Sequence, residues 1–206
     1  MFKRLTFAFL LLALAGCSPS TAAPAPTAAP TNAPSIPEPA STEAGTSLTE
    51  EVEMMLHFTS PAFEPGGSIP ARFTCVGEDL SPALEWGEPP AGTRSFALIM
   101  DDPDAPNGVF VHWVIYNIPA ESRGLPEAVM GGAELPDGTR QGLNSAHENG
   151  YLGPCPPSGT HRYFFKLYAL DTMLEDLGSE AGASELMKAI SGRFLVNAEL
   201  MGTFHK

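Results

Sequence analysis

Four stretches of the chain have hydrophobic patterns typical of β-strands. Residues 95–100, 109–118 and 161–170 are apolar at successive positions, so we predict central strands that are covered on both faces. Residues 196–204 alternate apolar and polar side chains, which is typical of a strand with one buried face. Glycine and proline interrupt most of the chain between these runs. The pattern therefore predicts a mainly β fold.

One segment has a helical period instead. Leu186, Met187 and Ile190 recur at spacings of three and four residues within the segment 179–192, and Ser184 precedes them. Serine is a favourable N-cap because its hydroxyl can accept a hydrogen bond from a free amide of the first turn. We therefore predict a short helix with Ser184 as its N-cap and Met187 at position N3.

Polar side chains stand at one end of the three central strands. Asp102 extends the apolar face of the first strand, and His112 and His161 open the second and third. If the first two strands pair as a hairpin and the third runs in the same direction as the second, these side chains meet at one edge of the sheet. We expect Asp102 and His112 to share a hydrogen bond there, directly or through water.

The loop that leads into His161 supplies further polar groups to this edge. Its sequence is GPCPPSG, residues 153–159, and its prolines lack N–H groups and stiffen the backbone. The remaining main-chain amides near Cys155 and Ser158 can then be held toward a ligand. Together with imidazole N–H groups, they suit an oxyanion such as phosphate. The sequence therefore predicts a small anion pocket.

The N-terminal part of the chain indicates export and membrane anchoring. Two basic residues precede an apolar run, and the segment LAGC, which ends at Cys17, resembles a bacterial lipobox. The alternative is an ordinary signal peptide with an incidental cysteine. The following residues are rich in Pro, Ala and Thr and predict a disordered segment. We predict a membrane-anchored, extracytoplasmic lipoprotein with a signal peptide at 1–16, a lipid-anchored tether at 17–52 and one domain at 53–206.

Charge and cysteine content narrow the partners and the compartment. The formal net charge is −13, whereas nucleic acids favour a basic surface, so we expect no nucleic-acid partner. Cys75 and Cys155 remain after Cys17 is set aside. In an exported protein such a pair favours a disulfide, with two buried free thiols as the alternative.

Four segments resemble a known family. They are SPALEW at 81–86, DPDAP at 102–106, VHW at 111–113 and GPCPPSGTHRYFFKLYAL at 153–170. They resemble the phosphatidylethanolamine-binding protein family, and more narrowly its bacterial Raf-kinase-inhibitor-like branch, from about residue 55 to the C-terminus. The resemblance implies a mainly β, β-sandwich fold with one or two peripheral helices. It also implies a disulfide between Cys75 and Cys155.

The resemblance implies a set of site residues as well. The ligand-binding residues would be Asp102, His112, Cys155, Pro156, His161 and Tyr163. Asp104, with Pro103 and Pro106, would support the loop. Phe110 stands where the family often has a tryptophan.

The implied function is binding without a reaction, a cofactor or a metal. We expect an envelope-anchored protein whose pocket holds phosphate-bearing or carboxylate-bearing ligands such as phospholipid head groups. The alternative is an inhibitor or interaction module for an extracytoplasmic protease or another protein. An enzyme is the third class, since Asp102 and two histidines could form a hydrolytic dyad or a metal site. However, the sequence contains no GxSxG and no HExxH element.

Overall fold

The chain folds mainly into β-strands in the computed structural model, which describes residues 55–178 and 180–206. The predicted signal peptide and tether lie outside the described residues. The strands are β1 (Phe58–Thr59), β2 (Leu84–Trp86), β3 (Ser95–Asp102), β4 (Phe110–Pro119), β5 (Gly124–Leu125), β6 (Arg140–Gln141), β7 (Thr160–Leu170) and β8 (Phe194–His205). A short 3-10 helix spans Ala71–Phe73, and helix α1 spans Ala183–Ile190. No helix of the described residues is long and apolar enough to cross a membrane.

The strands form two antiparallel sheets. The larger sheet has the order β6-β4-β3-β7-β8, and the smaller one has the order β1-β2-β5. β3 pairs antiparallel with β4 on one side and with β7 on the other, so β4 and β7 run in the same direction. The predicted hairpin and the predicted direction of the third strand are thus confirmed. As a result, the end of β3 lies beside the beginnings of both neighbours.

The larger sheet is covered on both faces, as its apolar runs predicted. All eight residues of β3 are buried. On one face, Phe96 and Leu98 pack in the same cluster as Trp86 of the smaller sheet. On the other face, Ala97 and Ile99 pack in the same cluster as side chains of α1. The two sheets and the peripheral helix give the expected mainly β architecture.

Helix α1 begins earlier than the sequence predicts. Its N-cap is Gly182, and the Glu185 side chain at N3 accepts a hydrogen bond from the Gly182 amide at 3.2 Å. The prediction of Ser184 as N-cap was therefore wrong, because the capping interaction comes from a carboxylate further along. Leu186 and Ile190 are buried as expected, whereas Met187 is 41% exposed.

A disulfide joins two loops at one end of the larger sheet. Cys75 and Cys155 are bonded, with their Cα atoms 5.4 Å apart, which confirms the predicted pairing. The same loops are also held by hydrogen bonds. The Cys75 amide donates to the Pro154 carbonyl at 3.2 Å, and the Gly153 amide donates to the Asp79 carboxylate at 2.7 Å. The disulfide therefore reinforces a contact that already exists in the backbone.

We predict that replacing Cys75 and Cys155 together with alanine lowers the free energy of unfolding by about 4 kcal/mol, because the bridge closes a long loop of the unfolded chain. Urea unfolding of the full chain measures the change. Val76→Ala, an exposed neighbouring change, should stay within about 0.5 kcal/mol of the wild type. A loss below about 1 kcal/mol in the double variant would show that the hydrogen bonds alone hold the two loops.

Candidate functional site

A cavity of about 520 Å³ opens where β3 ends and where β4 and β7 begin. Asp102, His112 and His161 line it, so the structure brings the three predicted side chains together. Each comes from a different strand, and the antiparallel pairing of β3 on both sides is what unites them. The rest of the wall is largely apolar and includes Phe110 and Leu152.

The shortest polar contact in the cavity wall joins Asp102 to His161. Nδ1 of His161 donates to Oδ2 of Asp102 at 2.7 Å, and both residues are buried, at 8% and 4% exposure. The other oxygen of Asp102 accepts the main-chain amide of Asp104 at 2.8 Å. Because a carboxylate accepts hydrogen bonds, the hydrogen of this contact belongs to Nδ1. The second nitrogen of His161, Nε2, has no hydrogen-bond partner among the described residues.

His112 does not form a direct bond to Asp102. Its Nδ1 lies 2.7 Å from the main-chain carbonyl of Leu152 instead. Asp102 already accepts from His161 and from the main-chain amide of Asp104, and His112 uses the Leu152 carbonyl as its acceptor. A register shift between Met100 and Asp101 leaves His112 without an opposite residue in β3, and Asp102 pairs with Phe110. In a regular register His112 would oppose Asp101, on the sheet face away from Asp102, so the shift turns His112 toward the cavity.

The surroundings of His112 favour a neutral ring. The Phe110 and Tyr163 rings pack on it, with centroids 4.9 and 5.2 Å away. Burial lowers the pKa of His112, and this effect outweighs the opposing hydrogen bond to Leu152 and the charge of Asp102. Since a carbonyl can only accept, Nδ1 carries the hydrogen and Nε2 carries a lone pair.

Tyr163 lies behind the wall rather than in it. Its side chain is fully buried, and its hydroxyl has no hydrogen-bond partner among the described residues. Burial raises the pKa of this hydroxyl, and the nearby charges of Asp102 and Asp104 raise it further. The hydroxyl therefore stays neutral. It is a potential donor near the main-chain amide of Cys155.

The loop between β3 and β4 is tied to β7 by an ion pair. One carboxylate oxygen of Asp104 accepts from the amide and Nε of Arg162 at 3.0 and 2.8 Å, and the other accepts from Nη2 at 2.7 Å. This contact lowers the pKa of Asp104 to about 2. Arg162 is exposed and does not line the cavity, whereas His161, its neighbour, does. Alternation along β7 therefore separates the two basic side chains.

The remaining predicted residues divide between the wall and its support. Cys155 lines the cavity as half of the disulfide and so offers no free thiol. Pro106 lines it as well, but Pro103 does not. Pro156 is buried and does not line the cavity, which is a correction, because its neighbour Pro157 occupies that place.

Sequence reasoning missed several parts of the wall. Leu152 acts through its carbonyl, which every residue type carries, so no residue pattern could have identified it. Gly108 and Val109 also line the cavity. They lie between the segments DPDAP and VHW, so their place in the sequence could have identified them as wall residues. Ser145 also lines the cavity, and its hydroxyl accepts the Val111 amide at 2.9 Å. Within the described residues, no group of three His, Cys, Asp or Glu side chains is arranged to hold a metal ion.

Comparison with known proteins shows similarity in sequence and in fold. A family model described as phosphatidylethanolamine-binding protein matches residues 59–205. A UPF0098 protein of Methanothermobacter thermautotrophicus is 50% identical over 151 residues, which cover 73% of this chain and 99% of that protein.

Two solved structures share the fold. A putative phosphatidylethanolamine-binding protein homologue from Chlamydia trachomatis has a TM-score of 0.68 at 38% identity, over 74% of this chain and 98% of its own. E. coli YbcL, described as a new member of the mammalian PEBP family, has a TM-score of 0.68 at 31% identity, over 73% and 98%. None of these descriptions names a reaction.

We predict that Arg162→Ala raises the pKa of Asp104 from about 2 toward its ordinary value of 3.8, because the arginine is the main cause of the low pKa. A carbon-detected NMR titration of the carboxylates measures it. Since the folded-state pKa is lowered, the ion pair stabilises the fold above about pH 3.8 and loses this effect as the pH falls through about 2. Arg123→Ala, which breaks a separate pair with Glu88, should leave the Asp104 titration unchanged. An unchanged pKa in Arg162→Ala contradicts the assignment.

Proposed function

This chain belongs to the phosphatidylethanolamine-binding protein family, and on that premise we propose that it is a binding protein whose cavity holds phosphate-bearing or carboxylate-bearing ligands, such as phospholipid head groups. The observation that carries the proposal is the buried contact between Asp102 and His161 in the cavity wall. When the His161 ring is protonated, it donates from Nδ1 to Asp102 and can donate from Nε2 to a ligand oxygen.

Two features favour binding over hydrolysis. The sulfur of Cys155 is held in the disulfide, so it is not a nucleophile. The hydroxyl oxygen of Ser145 already accepts the amide of Val111, which holds the side chain in place. Neither potential nucleophile beside the cavity has the free, base-activated arrangement that acyl transfer requires.

The cellular location is part of the proposal. The disulfide between Cys75 and Cys155 supports an oxidising compartment outside the cytoplasm. The lipobox-like segment that ends at Cys17 supports a lipid anchor, with residues 17–52 as its tether. We place the chain at the cell envelope and, on its motifs, in the bacterial Raf-kinase-inhibitor-like branch.

A second function has one specific observation in its favour. Val76 follows the lining residue Cys75, Val109 lines the cavity itself, and the two valines are 53% and 61% exposed. Such side chains could contact a protein partner that inserts a terminal or side-chain carboxylate into the cavity. Two apolar side chains are far fewer than a stable protein interface usually buries, so a small ligand is the preferred proposal.

We predict that His161→Ala abolishes stabilisation by phosphate. At a hundredfold excess over Kd, inorganic phosphate should raise the Tm of the wild-type chain by about 5–10 °C. In His161→Ala the increase should fall below about 1 °C, because the charge-assisted donor is missing. Arg162→Ala is the matched control, since this neighbouring base points away from the cavity and should leave the response intact. Equal responses in the wild type and His161→Ala would contradict the proposal.

We also predict that Tyr163→Phe changes stability and not binding. Removing the hydroxyl, which has no hydrogen-bond partner among the described residues, should leave the free energy of unfolding unchanged or raise it by about 1 kcal/mol. The affinity for phosphate should change by less than about twofold, because the side chain is fully buried and does not line the cavity. Urea unfolding and calorimetric titration measure the two effects. An affinity loss of about tenfold would show instead that the hydroxyl takes part in ligand binding.

A further inference from the structure

The cavity has no permanent positive charge in its wall. Among the described residues that line it, none is lysine or arginine, and the basic side chains are those of His112 and His161. Asp102 contributes a carboxylate to the same wall. The charges of Asp79 and Asp101 also act on His112. A ligand with two negative charges would therefore meet carboxylates without a fixed cation to offset them.

The hydrogen-bonding capacity of His112 adds a directional requirement. Its Nδ1–H is used by the Leu152 carbonyl, so Nε2 of the neutral ring is an acceptor. Nε2 has no hydrogen-bond partner among the described residues, and it is absent from the buried atoms that lack one. Since His112 lines the cavity, this nitrogen is accessible from it. An ionised ligand oxygen would repel that lone pair, whereas a hydroxyl group would donate to it.

We propose that the cavity binds its phosphate ligand with one acidic hydrogen, which the ligand donates to Nε2 of His112, and that it therefore selects singly charged phosphate monoesters over phosphate diesters. This inference rests on the proposed function and narrows it, because a free phosphorylated head group is a monoester whereas the phosphate that joins a head group to an intact phospholipid is a diester. A monoester keeps one P–OH group below its second pKa, which is about 6, whereas a diester has a single acidic hydrogen that is lost well below pH 5. His161, in its protonated form, donates from Nε2 to a second oxygen of the same phosphate group while Nδ1 stays bonded to Asp102.

The acidic hydrogen of the P–OH group stays on the ligand and is not transferred to the His112 ring. The titratable groups around His112 are Asp102 from β3, Tyr163 and His161 from β7, and Asp79 from the loop that precedes β2, with Asp101 one residue earlier in β3. The carboxylates favour a protonated ring, but burial lowers the pKa of His112 despite them. The net result is a neutral acceptor. In its bound form the P–OH group donates to this acceptor without a positive charge forming on the His112 ring.

The size of the cavity fits an esterified phosphate. Its volume of about 520 Å³ is in the usual range for small-molecule sites and leaves space beside a phosphate group. Phe110, Val109 and Leu152 line part of that space. The alcohol part of the ligand can therefore be apolar.

Methyl phosphate and dimethyl phosphate provide the direct test. At pH 5 both carry close to one negative charge, but only methyl phosphate has a P–OH group. Calorimetric titration of the full wild-type chain should show methyl phosphate binding at least about tenfold more tightly, the ratio expected for one hydrogen bond to a buried acceptor. At pH 7, titrations in buffers of different ionisation enthalpy should show the uptake of nearly one proton per methyl phosphate bound.

A His112 variant separates this effect from general anion binding. His112→Asn removes Nε2. Its side-chain amide can still donate to the Leu152 carbonyl, as Nδ1 of His112 does in the wild type. In this variant the preference for methyl phosphate should fall below about twofold, while binding of dimethyl phosphate changes little. The wild-type titrations need no variant, so the test remains decisive if His112→Asn fails to fold.

The outcomes distinguish the two proposals. Equal affinities for the two esters at pH 5, together with no proton uptake at pH 7, overturn the present inference and leave anion binding through His161 in place. If neither ester nor inorganic phosphate binds to the wild-type chain, the proposed function is itself overturned. A tenfold preference with proton uptake supports both.

Discussion

The pairing of β3 with a strand on each side is the constraint on which the rest of the structure depends. Both neighbours run antiparallel to β3, so its last residues lie beside the first residues of β4 and β7. All eight residues of β3 are buried, which places this pairing at the centre of the hydrophobic core. The cavity therefore rests on the part of the sheet with the most burial, and its side chains start from backbone that has little freedom to move.

The same pairing sorts the charged groups around the cavity. His161 and Arg162 are adjacent in β7 and point to opposite faces, so one enters the wall and the other stays outside. Asp102 accepts a hydrogen bond from His161, and Asp104 accepts hydrogen bonds from Arg162. Each aspartate also binds a main-chain amide, which fixes the loop after β3 at two points. Two side-chain contacts with different exposure thus hold a single loop in place.

Much of this arrangement could be predicted from the sequence, and the failures have physical causes. The long strands were evident because both of their faces are apolar, and the meeting of Asp102, His112 and His161 followed from the strand directions. The strands of the smaller sheet were not located from the hydrophobic pattern, because they are two or three residues long and show no periodicity.

The details of hydrogen bonding were also beyond the sequence pattern. The direct form of the expected bond between Asp102 and His112 is not present, because the Asp102 oxygens accept from His161 and from the Asp104 amide. The partner that His112 has instead is the carbonyl of Leu152. A main-chain carbonyl is present in every residue, so the sequence cannot show which one acts as the acceptor. Here the Leu152 carbonyl determines which nitrogen of the His112 ring faces the cavity.

The overall charge of the chain and the make-up of the cavity act in the same direction. A formal net charge of −13 repels a doubly charged anion at long range more strongly than a singly charged one. Within the wall, histidines replace the fixed cations that an anion site commonly uses, and Asp102 adds a negative charge. Attraction therefore comes from short hydrogen bonds of defined direction rather than from a positive field. Such bonds depend on where a ligand carries its hydrogen, whereas a positive field depends mainly on its charge. In this chain, the cavity therefore discriminates between ligands by their protonation state.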